Sequence, residues 1–361
     1  MSLGTRLAER IREHGPITFA EFMEAALYDP DDGFYARPAI GQGEGGHFVT
    51  SPHVSPAFGD LLGRQVAECW DFLGRPAPFT VVEIGAGDGT LARQILDAAR
   101  AVPDLAAAIR YVAVERTPGQ VEALRSRGFE AHGSMADVGP ITGCVIANEV
   151  LDNLPFHRLR ERNGRIVEVL VGAEGDRLVE VEGRPSKEAV GLLAAAPEDG
   201  EERRVSPAAL RLVGDIAATL DRGYAFLFDY GPTGPVHAYR EHRALAEVLD
   251  EPGSRDVTAG VDLGVVADVA SRAGLQAWGP VPQRDALLAL GYRLWTAGVR
   301  TRQAEAEAAG DWRTANRLFE ARSRASILID PGKLGGLWLV SFGTEGVPPP
   351  AAVLGDRETG C

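Results

Sequence analysis

Short apolar runs alternate with helical stretches through the middle of the chain. Each run has the length and composition of a buried parallel strand. The runs occupy residues 80–84, 110–115, 144–147 and 224–229. Between them apolar residues recur with helical spacing, as Leu91, Ile95 and Leu96 do after the first run. Strands that alternate with helices predict an α/β fold built on a parallel sheet.

The flanking regions follow other patterns. Residues 3–14 are helical, and Thr18 with Glu21 forms the capping box of a second helix. Apolar and polar residues alternate on both sides of Asn163 and Gly164, and this pattern predicts a β-hairpin over residues 157–171. Two apolar helical faces follow residue 283, and we expect both to pack in the core. They comprise Leu287, Leu288, Leu290, Leu294 and Trp295, and then Trp312, Leu318 and Phe319.

These patterns divide the chain into segments. We predict an N-terminal helical and lid segment (1–75), the first part of the sheet domain (76–156), a β-hairpin insertion with a flexible linker (157–204), the second part of the sheet domain (205–282), a helical subdomain (283–330), a closing strand (331–345) and a disordered tail (346–361).

A glycine-rich turn follows the first apolar run at once. The turn consists of Gly85, Ala86, Gly87, Asp88 and Gly89. A strand, such a turn and a helix N-terminus place free backbone N–H groups at the carboxyl edge of a sheet, where α/β proteins bind nucleotides. The turn predicts a nucleotide-bearing ligand, although a tight strand-to-helix connection alone would also use glycine.

Two acids distinguish between the nucleotide ligands. Glu83 precedes the turn and Asp88 lies within it, and the spacing is Gly-x-Gly-x-Gly rather than the Gly-x-Gly-x-x-Gly of the dinucleotide fingerprint. Both carboxylates would repel a pyrophosphate, but they suit an ammonium such as that of S-adenosylmethionine (SAM). The pattern therefore disfavours an NAD-dependent dehydrogenase and favours SAM.

A third acid ends the second apolar run. In a β-α-β unit, the end of the second strand lies beside the glycine-rich turn of the first. Glu115 is therefore placed to accept hydrogen bonds from both ribose hydroxyls of a nucleoside. A solvated strand end is the alternative interpretation, and the neighbouring glycine turn favours ribose binding.

Composition excludes several functions. The net charge of −14 argues against non-specific binding to nucleic acid or to an anionic membrane surface. No apolar run approaches the ~20 residues of a membrane span, and Cys69, Cys144 and Cys361 are too scattered for a disulfide framework or a metal site. The N-terminal residues lack the apolar core of a signal peptide, so we expect a cytoplasmic protein.

The residues and their order resemble the MidA-type family of class I SAM-dependent methyltransferases. The matching segments are 16–23, 28–35, 46–52, 58–59, 82–91, 147–155, 228–231, 238–242, 256–262 and 330–335. The resemblance implies a Rossmann-like seven-stranded sheet whose last strand is antiparallel, and it implies SAM as cofactor and S-adenosylhomocysteine as product. It also places Phe48, Thr50, Ser51 and Pro52 over the cofactor, and Ser134 and Met135 near the adenine. From its composition alone, the glycine-rich loop 41–52 would be either a disordered surface loop or a mobile lid over a ligand.

A candidate catalytic group follows the strand that ends at Ala147. Asn148 and Glu149 fall at its carboxyl edge, and the chain then turns to Asp152. Carboxylates there could hold a guanidinium in line with the methyl group of the cofactor. The alternative is that Asp152 only caps a helix and that Glu149 is solvated.

Three functions remain open on the sequence. The first is methylation of a protein arginine, the activity that the resemblance implies. The second is methylation of a small molecule, and the third is a non-catalytic assembly factor that binds SAM. The insertion could recognise substrate or pair two subunits of a homodimer, and the loop residues His237 and His242 could be bases or simply exposed.

Overall fold

The structure is a computed structural model that describes residues 1–36, 50–193, 197–198, 201–231, 236–240, 243–245 and 247–355. Its α-helices are α1 (Leu3–His14), α2 (Phe19–Tyr28), α3 (Ser51–Val54), α4 (Ala57–Phe72), α5 (Thr90–Ala99), α6 (Pro103–Ala108), α7 (Pro118–Ser126), α8 (Lys187–Gly191), α9 (Pro207–Thr219), α10 (Leu263–Arg272), α11 (Gln283–Ala289), α12 (Tyr292–Ala308) and α13 (Trp312–Ala325).

Its strands are β1 (Ile17–Thr18), β2 (Phe79–Ile84), β3 (Ile109–Val114), β4 (Glu130–His132), β5 (Ile141–Asn148), β6 (His157–Arg162), β7 (Arg165–Glu174), β8 (Arg177–Gly183), β9 (Glu202–Val205), β10 (Leu220–Asp229), β11 (His237–Arg240), β12 (Arg243–Leu245), β13 (Asp256–Thr258), β14 (Gln276–Pro282) and β15 (Trp338–Gly343).

The central sheet has seven strands in the order β14-β15-β10-β5-β2-β3-β4. The five strands from β10 to β4 are parallel, whereas β15 runs antiparallel to both of its neighbours. Helices cover both faces, and every residue of β2 is buried, which explains its continuous apolar run. The expected class I methyltransferase sheet is confirmed, and the carboxyl ends of β2, β3, β5 and β10 meet at one edge.

A second, antiparallel sheet contains the predicted hairpin. β6 and β7 pair through a turn at Asn163 and Gly164, both with positive φ, and β8 adds the expected third strand. The prediction of a flexible linker up to residue 204 is wrong for its last residues, because β9 pairs with β6. Glu202 of β9 accepts hydrogen bonds from Arg158 and Arg160 of β6, so charge pairing holds this polar segment in the sheet.

The N-terminal segment joins the same sheet. The capping box at Thr18 and Glu21 is present at the start of α2. Ile17 and Thr18 also pair with Val171 and Leu170 of β7, a contact that the local pattern did not predict. The helices α1 and α2 thus pack against the second sheet and form one core with it.

The disordered tail predicted from residue 346 is also corrected, because residues 347–355 pack on the body of the protein. The Ala351 and Ala352 N–H groups donate to Glu68 and Gln65 of α4, and Tyr224 donates to the Pro348 carbonyl. Consecutive prolines prevent a regular helix or strand there, but they allow an extended segment to pack.

The helical subdomain contacts α3 and α4 through α12 and α13. Leu287 and Trp295 are buried as predicted. The two predicted faces are wrong in part, since Leu294, Trp312 and Phe319 are 61%, 63% and 50% exposed. The reason is that α13 packs through one side, and its other side carries Trp312 and Phe319 into solvent.

Candidate functional site

The glycine-rich turn connects β2 to α5 at the edge where the parallel strands end. Gly85, Gly87 and Gly89 have φ values of +70°, +56° and +77°, a region that costs other residues energy. A Cβ on Gly85 would also lie 2.7 Å from Val150, so the backbone of the turn passes directly against the segment after β5. Glycine is therefore required here by conformation and by close approach.

Glu115 lies beside this turn, as the sequence predicts. It follows the last residue of β3, and its Oε1 accepts a hydrogen bond of 2.6 Å from the Gly87 N–H. Burial raises the pKa of Glu115, while the N–H groups of Gly87 and Arg116 partly offset this effect. The second carboxylate oxygen leaves Glu115 with acceptor capacity for a ribose.

Asp88 faces the start of α5 and the short helix α3. Its Oδ1 accepts the Thr90 N–H at 2.9 Å and lies 3.3 Å from Nε2 of His53. Burial alone would raise the pKa of Asp88, but the hydrogen bonds from His53 and Thr90 outweigh it, and the pKa falls below its usual range. Asp88 is therefore ionised at neutral pH.

Glu83 points away from the edge into the core. It is 4% exposed and accepts a hydrogen bond of 2.8 Å from the Tyr111 hydroxyl. Burial raises its pKa to about 8, despite the hydrogen bond from Tyr111. The carboxyl is thus mostly neutral at pH 7, and the structure does not bring it to the wall of the cavity described next.

A cavity of about 770 Å³ opens at this edge of the sheet. Five predicted site residues line it, namely Gly85, Glu115, Ser134, Met135 and Glu149. Its opposite wall is built by Tyr28 and Tyr35 of the N-terminal segment. The volume is within the roughly 300–1,000 Å³ that is usual for ligand sites.

Several other predicted residues are not part of the described wall of the cavity. These are Glu83, Ala86, Gly87, Asp88, Gly89, Thr50, Ser51, Pro52, Asn148 and Asp152. Phe48 and the rest of loop 41–49 lie outside the described residues, as does His242. His237 is described, and it does not line the cavity either.

Glu149 has the most constrained backbone at the site. Its φ is +55°, a strained value for a residue with a side chain. The Glu149 N–H donates to the Phe228 carbonyl at 2.8 Å, and Oε1 accepts from Ser51 N–H at 3.1 Å and from Asn148 Nδ2 at 3.0 Å. Burial raises the pKa of Glu149 to about 7, against the hydrogen bonds from Ser51 and Asn148. The chain therefore holds a carboxyl group that exchanges a proton near neutrality at the cavity wall.

Asp229 holds the turn that follows Glu149. Its Oδ2 accepts the N–H groups of Val150, Leu151 and Asp152 at 3.1, 2.7 and 3.4 Å. Burial raises the pKa of Asp229 to about 7. Sequence reasoning assigned no role to Asp229 beyond its position at the edge, and the signal that could have found it is that β10 ends there.

Asp152 is buried and does not line the cavity. It is 3% exposed, and its Oδ1 has no hydrogen-bond partner among the described residues. Burial raises the pKa of Asp152 well above the usual range, and the charges of Asp229, Asp256 and Glu149 add to the effect. Burial and the neighbouring negative charges therefore both favour the protonated form of Asp152.

The N-terminal segment is tied to the turn after β5 from the other side. Tyr28 donates to the Asn153 carbonyl at 3.1 Å, and Asn153 donates to Asp256 at 3.0 Å. The guanidinium of Arg116 lies 4.0 Å above the Tyr28 ring, and Tyr35 stacks on that ring at 5.6 Å. Sequence reasoning missed these contacts because they join segments that are far apart in the chain.

The residues present fit SAM. The left-handed Gly85 exposes its backbone at the cavity, and Glu115 retains acceptor capacity at the position that a ribose would take. The Asn148 Oδ1 is buried and accepts no hydrogen bond within the described structure. An unused acceptor beside Glu149 suits a cationic group, such as an ammonium or a guanidinium.

Comparison with known proteins agrees with this geometry. Residues 61–281 match the family model of an S-adenosyl-L-methionine-dependent methyltransferase. The chain is 32% identical to the Drosophila melanogaster protein named Protein arginine methyltransferase NDUFAF7 homolog, mitochondrial, over 92% of this chain and 83% of that protein. It is 28% identical to Protein arginine methyltransferase NDUFAF7, mitochondrial, of Xenopus tropicalis, over 80% of this chain and 75% of that one.

A solved structure matches over almost the whole chain. It is the crystal structure of a COG1565 superfamily member from Burkholderia thailandensis bound to S-adenosyl-homocysteine. The TM-score is 0.83 at 26% identity, and the match covers 99% of this chain and 96% of that one. The expected cofactor is therefore confirmed.

The cytoplasmic location expected from the sequence is contradicted, because these curated relatives are named as mitochondrial proteins. The expectation relied on the lack of an apolar signal core. Mitochondrial transit peptides are amphipathic and Arg-rich, so that criterion does not test for them. In the part of the chain that the structure describes, no helix combines the length and apolar character needed to cross a bilayer.

Proposed function

Because the chain belongs to the MidA-type family of S-adenosyl-L-methionine-dependent methyltransferases, we propose that its methyl acceptor is an arginine guanidinium of a protein. The observation that carries the proposal is Glu149, a strained carboxyl at the cavity wall whose pKa lies at about 7. The relatives named as protein arginine methyltransferases support the same acceptor.

The site residues divide into two groups under this proposal. The glycine turn (Gly85–Gly89), Glu115, Ser134 and Met135 would hold the cofactor, which supplies an electrophilic methyl group on a sulfonium. Asn148 and Glu149 would hold the acceptor, with Asp152 beneath them. The unused Asn148 Oδ1 and the Glu149 carboxylate are both acceptors, and a guanidinium is a planar array of donors.

Glu149 then has two tasks. Its carboxylate orients the guanidinium so that one nitrogen faces the methyl carbon. As the nitrogen–carbon bond forms and the carbon–sulfur bond breaks, the nitrogen loses a proton, and Glu149 takes it. A base with a pKa near the working pH is suited to this transfer.

The surrounding acids contribute to the same end. Asp229 holds three N–H groups of the turn and so maintains the strained backbone of Glu149. A cationic acceptor beside a sulfonium would be repelled, and nearby negative charge offsets that repulsion. The cluster of Glu149, Asp152, Asp229 and Asp256 can supply this charge by losing protons when a cation binds.

The test is transfer of a labelled methyl group from SAM to a lysate of the host of this protein, followed by acid hydrolysis and amino-acid analysis. We expect label in methylated arginine. Label in a small molecule of the lysate, or in another amino acid, would replace the arginine acceptor. Binding of SAM with no transfer to any fraction would leave a non-catalytic assembly factor.

A further inference from the structure

The short helix α3 carries His53, a residue that has no role in the chemistry above. Its ring lies between Thr50 and Asp88, with Nδ1 2.9 Å from Thr50 Oγ1 and Nε2 3.3 Å from Asp88 Oδ1. Nε2 is buried and makes no hydrogen bond within the described structure, so it meets Asp88 at ion-pair distance. The His53 side chain is 12% exposed, so this contact is largely shielded from water.

The same segment also contacts the proposed base. The Ser51 N–H donates to Glu149 Oε1 at 3.1 Å. The segment is held on two further sides, because the Pro52 carbonyl accepts from Gln94 and the His53 carbonyl accepts from Arg324. Residues 50–53 therefore connect the glycine turn, through His53, with Glu149, through Ser51.

We infer that His53 is a positioning residue, whose contact with Asp88 fixes α3 so that the Ser51 N–H stays on the Glu149 carboxylate. Asp88 belongs to the turn that the cofactor would contact, and Glu149 is the base of the proposed function, on which this inference rests. The arrangement couples the shape of the cofactor turn to the proton affinity of the base.

The charged groups that face Glu149 show what loss of His53 would do. Burial and the charge of Asp229 raise the pKa of Glu149. The hydrogen bonds from Ser51 and Asn148 and the electrostatic effect of His53 lower it. The buried carboxyl of Asp152 also interacts with Glu149. Without His53, the Ser51 N–H would move from Glu149 and burial would be less opposed, so the pKa of Glu149 would rise above about 7.

The test is a pH titration of the Ser51 amide resonance in the full chain, with no cofactor or acceptor, in the wild type and in His53→Ala, His53→Gln and Glu149→Gln. This readout does not require turnover, so it remains valid if the acceptor is not arginine. In His53→Gln, the new side-chain amide nitrogen can reach the position of Nε2 and keep a polar contact with Asp88. His132→Ala is the matched control, since His132 forms a similar contact of 3.2 Å with Glu130 away from α3.

We expect the wild-type Ser51 amide to titrate with a midpoint near pH 7, and the titration to vanish in Glu149→Gln. In His53→Ala the midpoint should rise by about one pH unit, the effect of losing one hydrogen bond to a charged group. His53→Gln and His132→Ala should keep the wild-type midpoint. If His53→Ala does not fold, Asp88→Ala removes the same contact and should shift the midpoint in the same direction.

Two results would overturn the inference. One is a wild-type midpoint in His53→Ala. The other is an equal shift in His53→Ala and His53→Gln, which would assign the effect to ring packing and not to the polar contact with Asp88. In the methyl-transfer assay, the acid limb of kcat should follow the same midpoints, and a general loss of stability would lower the amplitude without moving that limb.

Discussion

Replacement of Glu149 by Gln separates charge from shape at the centre of the site. The Gln side-chain oxygen can still accept from Ser51 N–H and Asn148 Nδ2, which now contact Oε1 at 3.1 and 3.0 Å. Because Gly85–Gly89 and Glu115 are untouched, SAM affinity should remain nearly intact. The variant has lost the charge that holds the acceptor and the group that takes its proton.

The expected cost follows from these two losses. Positioning, electrostatic stabilisation and general-base catalysis each contribute about 10²-fold or more, so methyl transfer should fall by at least about 10²-fold. In the wild type, the rate should fall about tenfold per pH unit below pH 7, because protonation of Glu149 removes the base. This acid limb should be absent from the residual activity of Glu149→Gln.

Whereas the rate of methyl transfer should fall in Glu149→Gln, the stability of the folded protein should rise. The folded pKa of Glu149, about 7, is raised above the unfolded value of 4.5, so its contribution is favourable at low pH and is lost as pH rises through 7. At pH 8 the Gln variant should therefore be more stable than wild type, by roughly 1–3 kcal/mol, since the side chain is partly open to the cavity. The difference in stability should shrink as pH falls toward 4.5, the unfolded pKa.

The assay is transfer of labelled methyl to the acceptor across pH 5.5–8.5, with thermal melting on the same samples. Glu182→Gln, an exposed acid paired with Arg162 in the insertion, is the control for loss of one carboxylate. A rate within twofold of wild type in Glu149→Gln would refute the reasoning. So would a lower melting temperature at pH 8, since it would mean that the carboxylate is needed for folding.

Three further predictions concern the neighbouring acids. Glu115→Ala should weaken S-adenosylhomocysteine binding by roughly 1–3 kcal/mol in calorimetry, through loss of charge-assisted hydrogen bonds, and an unchanged affinity would remove Glu115 from the ribose site. Asp152→Asn should lower methyl transfer by about 10²-fold or more with SAM affinity retained, whereas a wild-type rate would leave Asp152 a structural role. Glu83→Gln should raise the melting temperature at pH 9 but not at pH 4, because the folded pKa of Glu83 is raised from 4.5 to about 8 and its favourable contribution is lost as pH rises between these two values. A weaker SAM affinity in Glu83→Gln would instead support the expected ammonium contact.

The local signals in the sequence predicted much of the fold. A capping box needs only Thr18 and Glu21, and a buried strand needs only its own apolar run, so α2 and β2 could be predicted from a few adjacent residues. The glycine turn and Glu115 belong to one β-α-β unit, whose geometry brings them together at 2.6 Å. Short-range patterns were sufficient for these elements.

Long-range contacts explain most of the errors. β9 is polar, and it becomes a strand because Glu202 meets Arg158 across the sheet. Residues 347–355 pack on the body of the protein because Ala351 and Ala352 donate to side chains on α4, a helix far away in the chain. No periodicity within either segment records these partners.

The residues of the site also divide into those predicted by local signals and those that depend on long-range contacts. Glu149 was predicted because it ends a strand, but its strained φ and its bond to Ser51 depend on α3. The strand-end rule could also have identified Asp229, whereas Asp256 and His53 arrive from separate segments. A carboxylate at a strand end is a local prediction, and its proton affinity is a property of the folded site.

The most direct test of the central claim is a crystal structure of this protein with S-adenosylhomocysteine. We predict the ribose hydroxyls within hydrogen-bond distance of Glu115, the amino-acid part of the ligand against the turn Gly85–Gly89, and the sulfur directed toward Glu149 across the cavity. A ligand bound elsewhere, or bound here with its sulfur directed away from Glu149, would contradict the account.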